Sequence, residues 1–142
     1  MSYAGDVTCS ECWSSLTKEA HAQLVDVRTS AEWAFVGIPD LSQIKKKTHM
    51  VEWQSFPTME VDPGFATRVA QSLSSATNEE NCPVFMICRS GARSMAAATA
   101  LTHAGFGQVF NVLEGFEGVL NEAGQRGKLG GWKAENLPWR QS

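Results

Sequence analysis

Cys88 is followed by Arg89, Ser90, Gly91, Ala92, Arg93 and Ser94, so one short run holds a thiol, a glycine and two guanidinium groups. The thiolate is the nucleophilic form of cysteine. Thiols at helix N-termini or beside cations have pKa values lowered from ~8.5 by roughly one to several units, and Arg89 and Arg93 are the candidate cations. Backbone N–H groups from Arg89 through Ser94, turned into one concavity, would hold an anion carried on the sulfur or the oxyanion of an approaching substrate. A nucleophile and an anion holder therefore share one loop.

That geometry needs particular elements on either side. Val84-Phe85-Met86-Ile87 is a continuous apolar run, as expected of a strand buried on both faces of a parallel sheet. From Ala92 to Ala104 the chain is rich in alanine, with neither proline nor glycine until Gly105, which predicts a helix. Gly91 makes the turn between them, and the helix dipole backs the loop with its positive end. Cys88 is placed at the carboxyl end of a strand, where open α/β sheets bind their ligands.

The rest of the chain supplies more alternating strands and helices. Asp6 to Thr8 reads as a short edge strand, with Ser10 capping a helix over Glu11 to Leu16 that turns Cys12 and Leu16 to the core. Leu24, Val25 and Val27 mark a buried strand ending near Asp26. Ser30 is placed to cap a helix through Val36, stopped by Gly37 and Pro39, and Arg28 and Glu32 are spaced to form a structural ion pair. Lys45, Lys46 and Lys47 read as a solvated loop face. His49 to Trp53 is expected as a strand, and Phe65, Val69 and Leu73 recur at helical spacing. Gln108 to Val112 predicts another strand, and Glu117 to Ala123 a last short helix. The alternation argues for an α/β domain with a largely parallel sheet and right-handed crossovers.

Composition sets limits on function. The 142 residues suit one domain, 1–142, with 124–142 an irregular tail packed on it through Trp132, Leu137 and Trp139. That packing is the favoured reading of the tail; the alternative makes it a wall of the Cys88 pocket. A net charge of -3 gives no sign of a nucleic-acid partner. There is neither a leader-like segment nor an apolar run long enough for a membrane, so a cytoplasmic location and free thiols are expected. Cys9 and Cys12 form a C-x-x-C, but no second pair completes a metal site. His21, His49 and His103 have no metal spacing either, and His103 reads as a helix-end residue. No metal and no cofactor are expected.

Four segments together resemble the single-domain rhodaneses, the family of thiosulfate and persulfide sulfurtransferases: LVDVRTSAEW, CRSGARS, NVLEGF and GGWKAENLPW. The resemblance covers nearly the whole chain. It implies a rhodanese-like three-layer domain, a five-stranded and mainly parallel sheet flanked by helices. It also implies that Cys88 carries a persulfide sulfur, with the loop from Arg89 to Ser94 binding it. The partners implied are a small anionic sulfur donor and a thiol or cyanide acceptor; the alternative is a persulfide relay or a non-catalytic interaction module for a protein partner. Phosphatases and arsenate reductases of the same fold would call for a C-x5-R loop, commonly with histidine before the cysteine. Here the spacing is C-x4-R and Ile87 precedes Cys88. GIPDLSQIKKK departs from the histidine-containing G-H-I-P-G-A stretch of many relatives.

Overall fold

The computed structural model describes residues 3–79 and 81–141. Met1, Ser2 and Ser142, at the ends of the opening segment and of the tail, and Glu80, in the polar loop before Cys82, lie outside the described residues. In chain order the elements are β1 (Gly5–Val7), α1 (Cys9–Lys18), β2 (Gln23–Asp26), α2 (Ser30–Val36), β3 (Ile38–Pro39), a 3-10 turn (Ser42–Ile44), β4 (His49–Met50), β5 (Gln54–Ser55), β6 (Glu60–Val61), α3 (Phe65–Ser74), β7 (Val84–Ile87), α4 (Ala92–His103), β8 (Val109–Val112) and β9 (Trp139–Arg140).

Five strands form one sheet in the order β1-β8-β7-β2-β4, every pair parallel. β2 and β7 lie inside it and are buried along their whole length; the apolar run of β7 requires this, and in β2 the polar ends are paired, Gln23 with His49 and Asp26 with Arg28. From β2 the chain moves on to β4 at one edge, and from β7 it moves on to β8 on the other side. The order therefore reverses between β2 and β7, and a crevice opens beyond their carboxyl ends.

Strand alternation sorts the core into two faces. Val25, Val84, Met86 and Val109 meet Phe65, Val69 and Leu73 of α3 and Ala97, Ala98 and Leu101 of α4. Leu24, Phe85, Ile87 and Val112 meet Cys12 and Leu16 of α1, together with Leu41, Phe116 and Trp132. Cys88 continues the first set, so its sulfur lies on the α3–α4 side. Helix α3 has no side-chain cap at Gly64, which forgoes only about a few tenths of a kcal/mol, since glycine is a favourable N-cap. Its three buried anchors contribute roughly 1.5–3 kcal/mol each and decide the matter.

Several boundaries differ from the sequence reading, each for a local reason. Thr8, not Ser10, caps α1, and Thr29, not Ser30, caps α2. In both cases the threonine accepts from the amide of a glutamate three residues on, and that glutamate accepts from the threonine amide. The T-x-x-E spacing fixes the start, and β1 accordingly ends one residue earlier than expected. The strand expected from His49 to Trp53 keeps regular pairing only at His49 and Met50. Glu117 to Ala123 is not a helix; Gly115 (φ 65°) and Gly118 (φ 74°) put left-handed turns at its start. The described part of the tail is irregular except for β9, which pairs antiparallel with β3, Ile38 opposite Arg140 and Pro39 opposite Trp139.

Of the lysine run, Lys45 and Lys47 are exposed. Lys46 instead donates to the carbonyls of Glu19 (2.8 Å) and Ala22 (2.7 Å), holding the end of α1 against β2.

Candidate active site

β7 ends at Ile87, and the chain turns through Gly91 (φ 107°) into α4. Cys88 is 1 % exposed. Its Sγ accepts from the Gly91 amide at 3.1 Å and lies 3.2 Å from Ser94 Oγ. Among the described contacts the Gly91 N–H is the loop amide that reaches the sulfur, so the expected ring narrows to one amide and one hydroxyl. Ser94 is fully buried one turn into α4. Arg89 and Ala92 are exposed and Ser90 is half-buried, which puts Arg89 at the rim with its charge facing solvent.

Arg93 has a different setting. It donates to both oxygens of Glu32, Nη1 at 2.7 Å and Nη2 at 2.8 Å, a bidentate pair that joins α4 to α2. Burial by itself would raise the Glu32 carboxyl. The hydrogen bonds from Arg93 and Thr29 and the charges of Arg93 and Arg28 outweigh it and hold the carboxyl at about 2. The pair expected between Arg28 and Glu32 does not form. Arg28 turns back on Asp26, with Nη2 2.7 Å from Oδ2 and Nε 3.0 Å from Oδ1, and donates to the Gly37 carbonyl at 2.7 Å. Both side chains of that pair are fully buried. The Arg28 guanidinium also lies 4.3 Å from the Phe116 ring centre. A two-residue loop can fold a long side chain back onto its own strand, and this local partner wins over the one across the turn.

The segment after β8 grips the loop from the other side. Phe116 N–H donates to the Cys88 carbonyl (2.8 Å), and the amides of Glu117 (2.9 Å) and Gly118 (3.1 Å) donate to the Arg89 carbonyl. The tail supports that segment in turn. Trp132, fully buried, donates its amide to the Gly115 carbonyl at 2.8 Å, and its indole N–H bonds the Pro138 carbonyl at 2.6 Å. Ser90, Leu113, Glu114 and Val119 also line a cavity of about 490 Å³ beside the loop.

The other singled-out residues make no described hydrogen bond to the Cys88 sulfur, although Cys9 lines the same cavity as Ser90 and donates to the Gly115 carbonyl at 3.4 Å. Burial first, then the charges of Glu135 and Glu114, pushes the Cys9 thiol to about 12. Burial pushes Cys12 higher than its ordinary value as well. Both thiols are thus held protonated in the core, as expected for structural cysteines. His49 is buried against Ser72 and Gln23, and His103 ends α4. Among the described residues no group of three or more His, Cys, Asp or Glu side chains could hold a metal ion, and no helix is long and apolar enough to cross a membrane.

Sequence reasoning missed Glu32 as the partner of Arg93. It also missed Asn111, buried in β8, whose Oδ1 lies 2.6 Å from Ser94 Oγ. A polar residue inside the otherwise apolar run VFNV was the available signal.

The sequence model of the STR4 middle domain matches residues 4–142. An uncharacterized protein of Rickettsia conorii is 33 % identical over 135 residues, covering 95 % of this chain and 96 % of that protein. The Thylakoid Rhodanese-like protein of rice (Oryza sativa subsp. indica) is 27 % identical over 135 residues, 95 % of this chain but 25 % of its own length. Among solved structures, Rv0390 from M. tuberculosis superimposes with a TM-score of 0.88 at 42 % identity, covering 99 % of this chain and 100 % of that one. The polysulfide-sulfur transferase homodimer of Wolinella succinogenes superimposes with a TM-score of 0.57 at 19 % identity, covering 99 % and 80 %; it bears on the fold alone. The chain belongs to the STR4 middle domain family and has the rhodanese-like fold.

Proposed function

We propose that this protein is a sulfurtransferase in which Cys88 carries the sulfur as a persulfide between a small anionic donor and a thiol or cyanide acceptor. The observation that carries the reading is Cys88 Sγ beyond the sheet's central strand, met by the Gly91 amide at 3.1 Å and the Ser94 hydroxyl at 3.2 Å. In the first half-reaction the Cys88 thiolate attacks the outer sulfur of thiosulfate. A Cys–S–S bond forms, the sulfur–sulfite bond breaks, and sulfite leaves with the electron pair. In the second, an acceptor thiolate or cyanide attacks the terminal sulfur and Cys88 departs as thiolate. No net oxidation is required, and the negative charge stays on sulfur throughout. Gly91 and Ser94 supply donors to that charge.

Two further features support transfer of sulfur over hydrolysis of a phosphate. Both terminal nitrogens of Arg93 are bound to Glu32, so this arginine braces the loop, and the exposed Arg89 is the cation left to guide an anionic donor. Ser90, Gly91 and Ala92 lie in a C-x4-R loop, one residue shorter than the C-x5-R loop expected of a phosphatase. The exposed Leu113 and Val119 beside Ser90 favour a second reading, a relay to a protein acceptor, in a compartment such as the cytoplasm that keeps thiols reduced.

The test is turnover with thiosulfate and cyanide, followed as thiocyanate and sulfite, beside an aryl phosphate and arsenate. Thiocyanate formation that disappears in Cys88→Ser is expected. Hydrolysis of the aryl phosphate or reduction of arsenate, without sulfur transfer, would replace this reading with a phosphatase or arsenate reductase. Weak thiocyanate formation together with rapid sulfur transfer to one protein thiol would select the relay.

A further inference from the structure

Cys88, Ser94 and Asn111 belong to a hydrogen-bonded chain that continues to the edge of the sheet. Ser94 Oγ lies 2.6 Å from Asn111 Oδ1, 3.2 Å from Cys88 Sγ and 3.2 Å from the Gly91 carbonyl. A hydroxyl has one proton, and the shortest of these contacts takes it. Asn111 presents Oδ1 to Ser94 because its Nδ2 donates to Asp6 Oδ1 at 3.1 Å. A carboxylate only accepts, so Asp6 fixes which way the amide faces. Asp6 and Asn111 stand directly opposite one another in the β1–β8 pairing, and the Tyr3 hydroxyl donates to the same Asp6 oxygen at 2.9 Å.

This arrangement gives the serine two settings. With its proton turned to Asn111, Ser94 offers the sulfur a lone pair, which suits S–H. Once the sulfur bears charge, rotation of the O–H toward Sγ supplies a second donor beside the Gly91 amide. Rotation costs the bond to Asn111, so the strength of that bond regulates the change. We propose that Asp6 and Asn111 are positioning residues that set, through the Ser94 hydroxyl, how readily Cys88 becomes charged. The inference rests on Cys88 being the reacting sulfur of the proposed transfer. Other charged groups around the loop are Arg89, Arg93 with its partner Glu32 from α2, the Asp26–Arg28 pair at the end of β2, and Glu114 after β8. Substitution at Asp6 leaves all of them in place.

The experiment is the pH profile of Cys88 alkylation by iodoacetamide, read by mass spectrometry of the Cys88 peptide. In Asp6→Ala the Asn111 amide is free to turn Nδ2 to Ser94, which releases the serine proton for the sulfur. The profile should move to lower pH, with alkylation on its rising limb faster by roughly 2- to 12-fold, the equivalent of one net hydrogen bond. Ser94→Ala removes the donor and should move the profile the opposite way. Tyr3→Phe leaves the Asp6–Asn111 bond intact and should not move it. Loss of the Asp6 charge alone would also favour the thiolate, so the control is Asp6→Ala in the Ser94→Ala background, where an effect carried by the hydroxyl disappears and one carried through space persists; persistence overturns the proposal. If Asp6→Ala unfolds, Asp6→Asn, which cannot fix the amide's direction, should give a smaller shift of the same sign. An unchanged profile, or one displaced to higher pH in folded Asp6 variants, overturns the proposal. Sulfur loading from thiosulfate, measured on the same samples by intact mass, separates the two claims. Shifted profiles without loading sink the transfer reading and uphold this one; loading with superimposed profiles does the reverse.

Discussion

Glu32 and Arg93 are 61 positions apart and form a bidentate pair with about a fifth of each side chain exposed. The folded Glu32 carboxyl sits at about 2 against an ordinary value of 4.5. A depressed carboxyl contributes stability that is fully present above its unfolded value and is lost as pH falls toward the folded one. Glu32→Gln should therefore lower urea stability at neutral pH by about 1–3 kcal/mol. The deficit should shrink between about pH 4.5 and pH 2 as the wild-type carboxyl is protonated. A deficit that stays constant over that range would mean that shape and not charge holds the pair. The partnership could not be read from the chain, because periodicity reports which side chains are buried and not which distant residue each one meets. Arg28 illustrates the same limit, since it pairs with Asp26, two residues back. Cys88 with its loop was legible because thiol, glycine and flanking patterns are all local.

At the scale of elements, the segment from Glu114 to Gly118 turns tightly where the sequence reading starts a helix at Glu117. Its amides satisfy the carbonyls of Cys88 and Arg89, and this requires a left-handed backbone at Gly115. A Cβ there would collide with the Cys88 carbonyl oxygen and come within 2.7 Å of the Arg89 carbonyl. Gly124 has a similar positive φ but nothing within 4 Å of a Cβ, which makes it the control. Gly124→Ala should cost about 1 kcal/mol from backbone conformation alone. Gly115→Ala should cost at least about 2 kcal/mol more, because it also displaces packed backbone. Equal melting temperatures for the two variants would show that the clash is relieved without cost. The short helical pattern at 117–123 misled because glycine's backbone preference, set by what the turn must touch, outweighs a brief run of helix-compatible residues.

On the scale of the whole molecule, the alternation of strands and helices and the parallel sheet were legible from apolar runs, whereas the strand order and its reversal between β2 and β7 come from the structure. The tail was legible only in part. Its tryptophans marked an anchor, but the β3–β9 pairing spans most of the chain, and the support of Gly115 by Trp132 crosses an irregular segment with no periodicity to read. Trp132 is buried in the same core as Phe85 and Ile87. Trp132→Ala should thus cost about 3–5 kcal/mol, and removal of residues 130–142 should abolish cooperative thermal unfolding. A truncated chain that melts like the parent would return the tail to the role of a pocket wall. The claim on which the account turns is that Cys88 holds a transferable sulfur. Intact mass of the protein after incubation with thiosulfate and removal of the donor measures it directly. The account predicts the gain of one sulfur atom, lost on addition of cyanide and absent in Cys88→Ser; no gain from thiosulfate or other sulfane donors, or a gain that survives in Cys88→Ser, would contradict it.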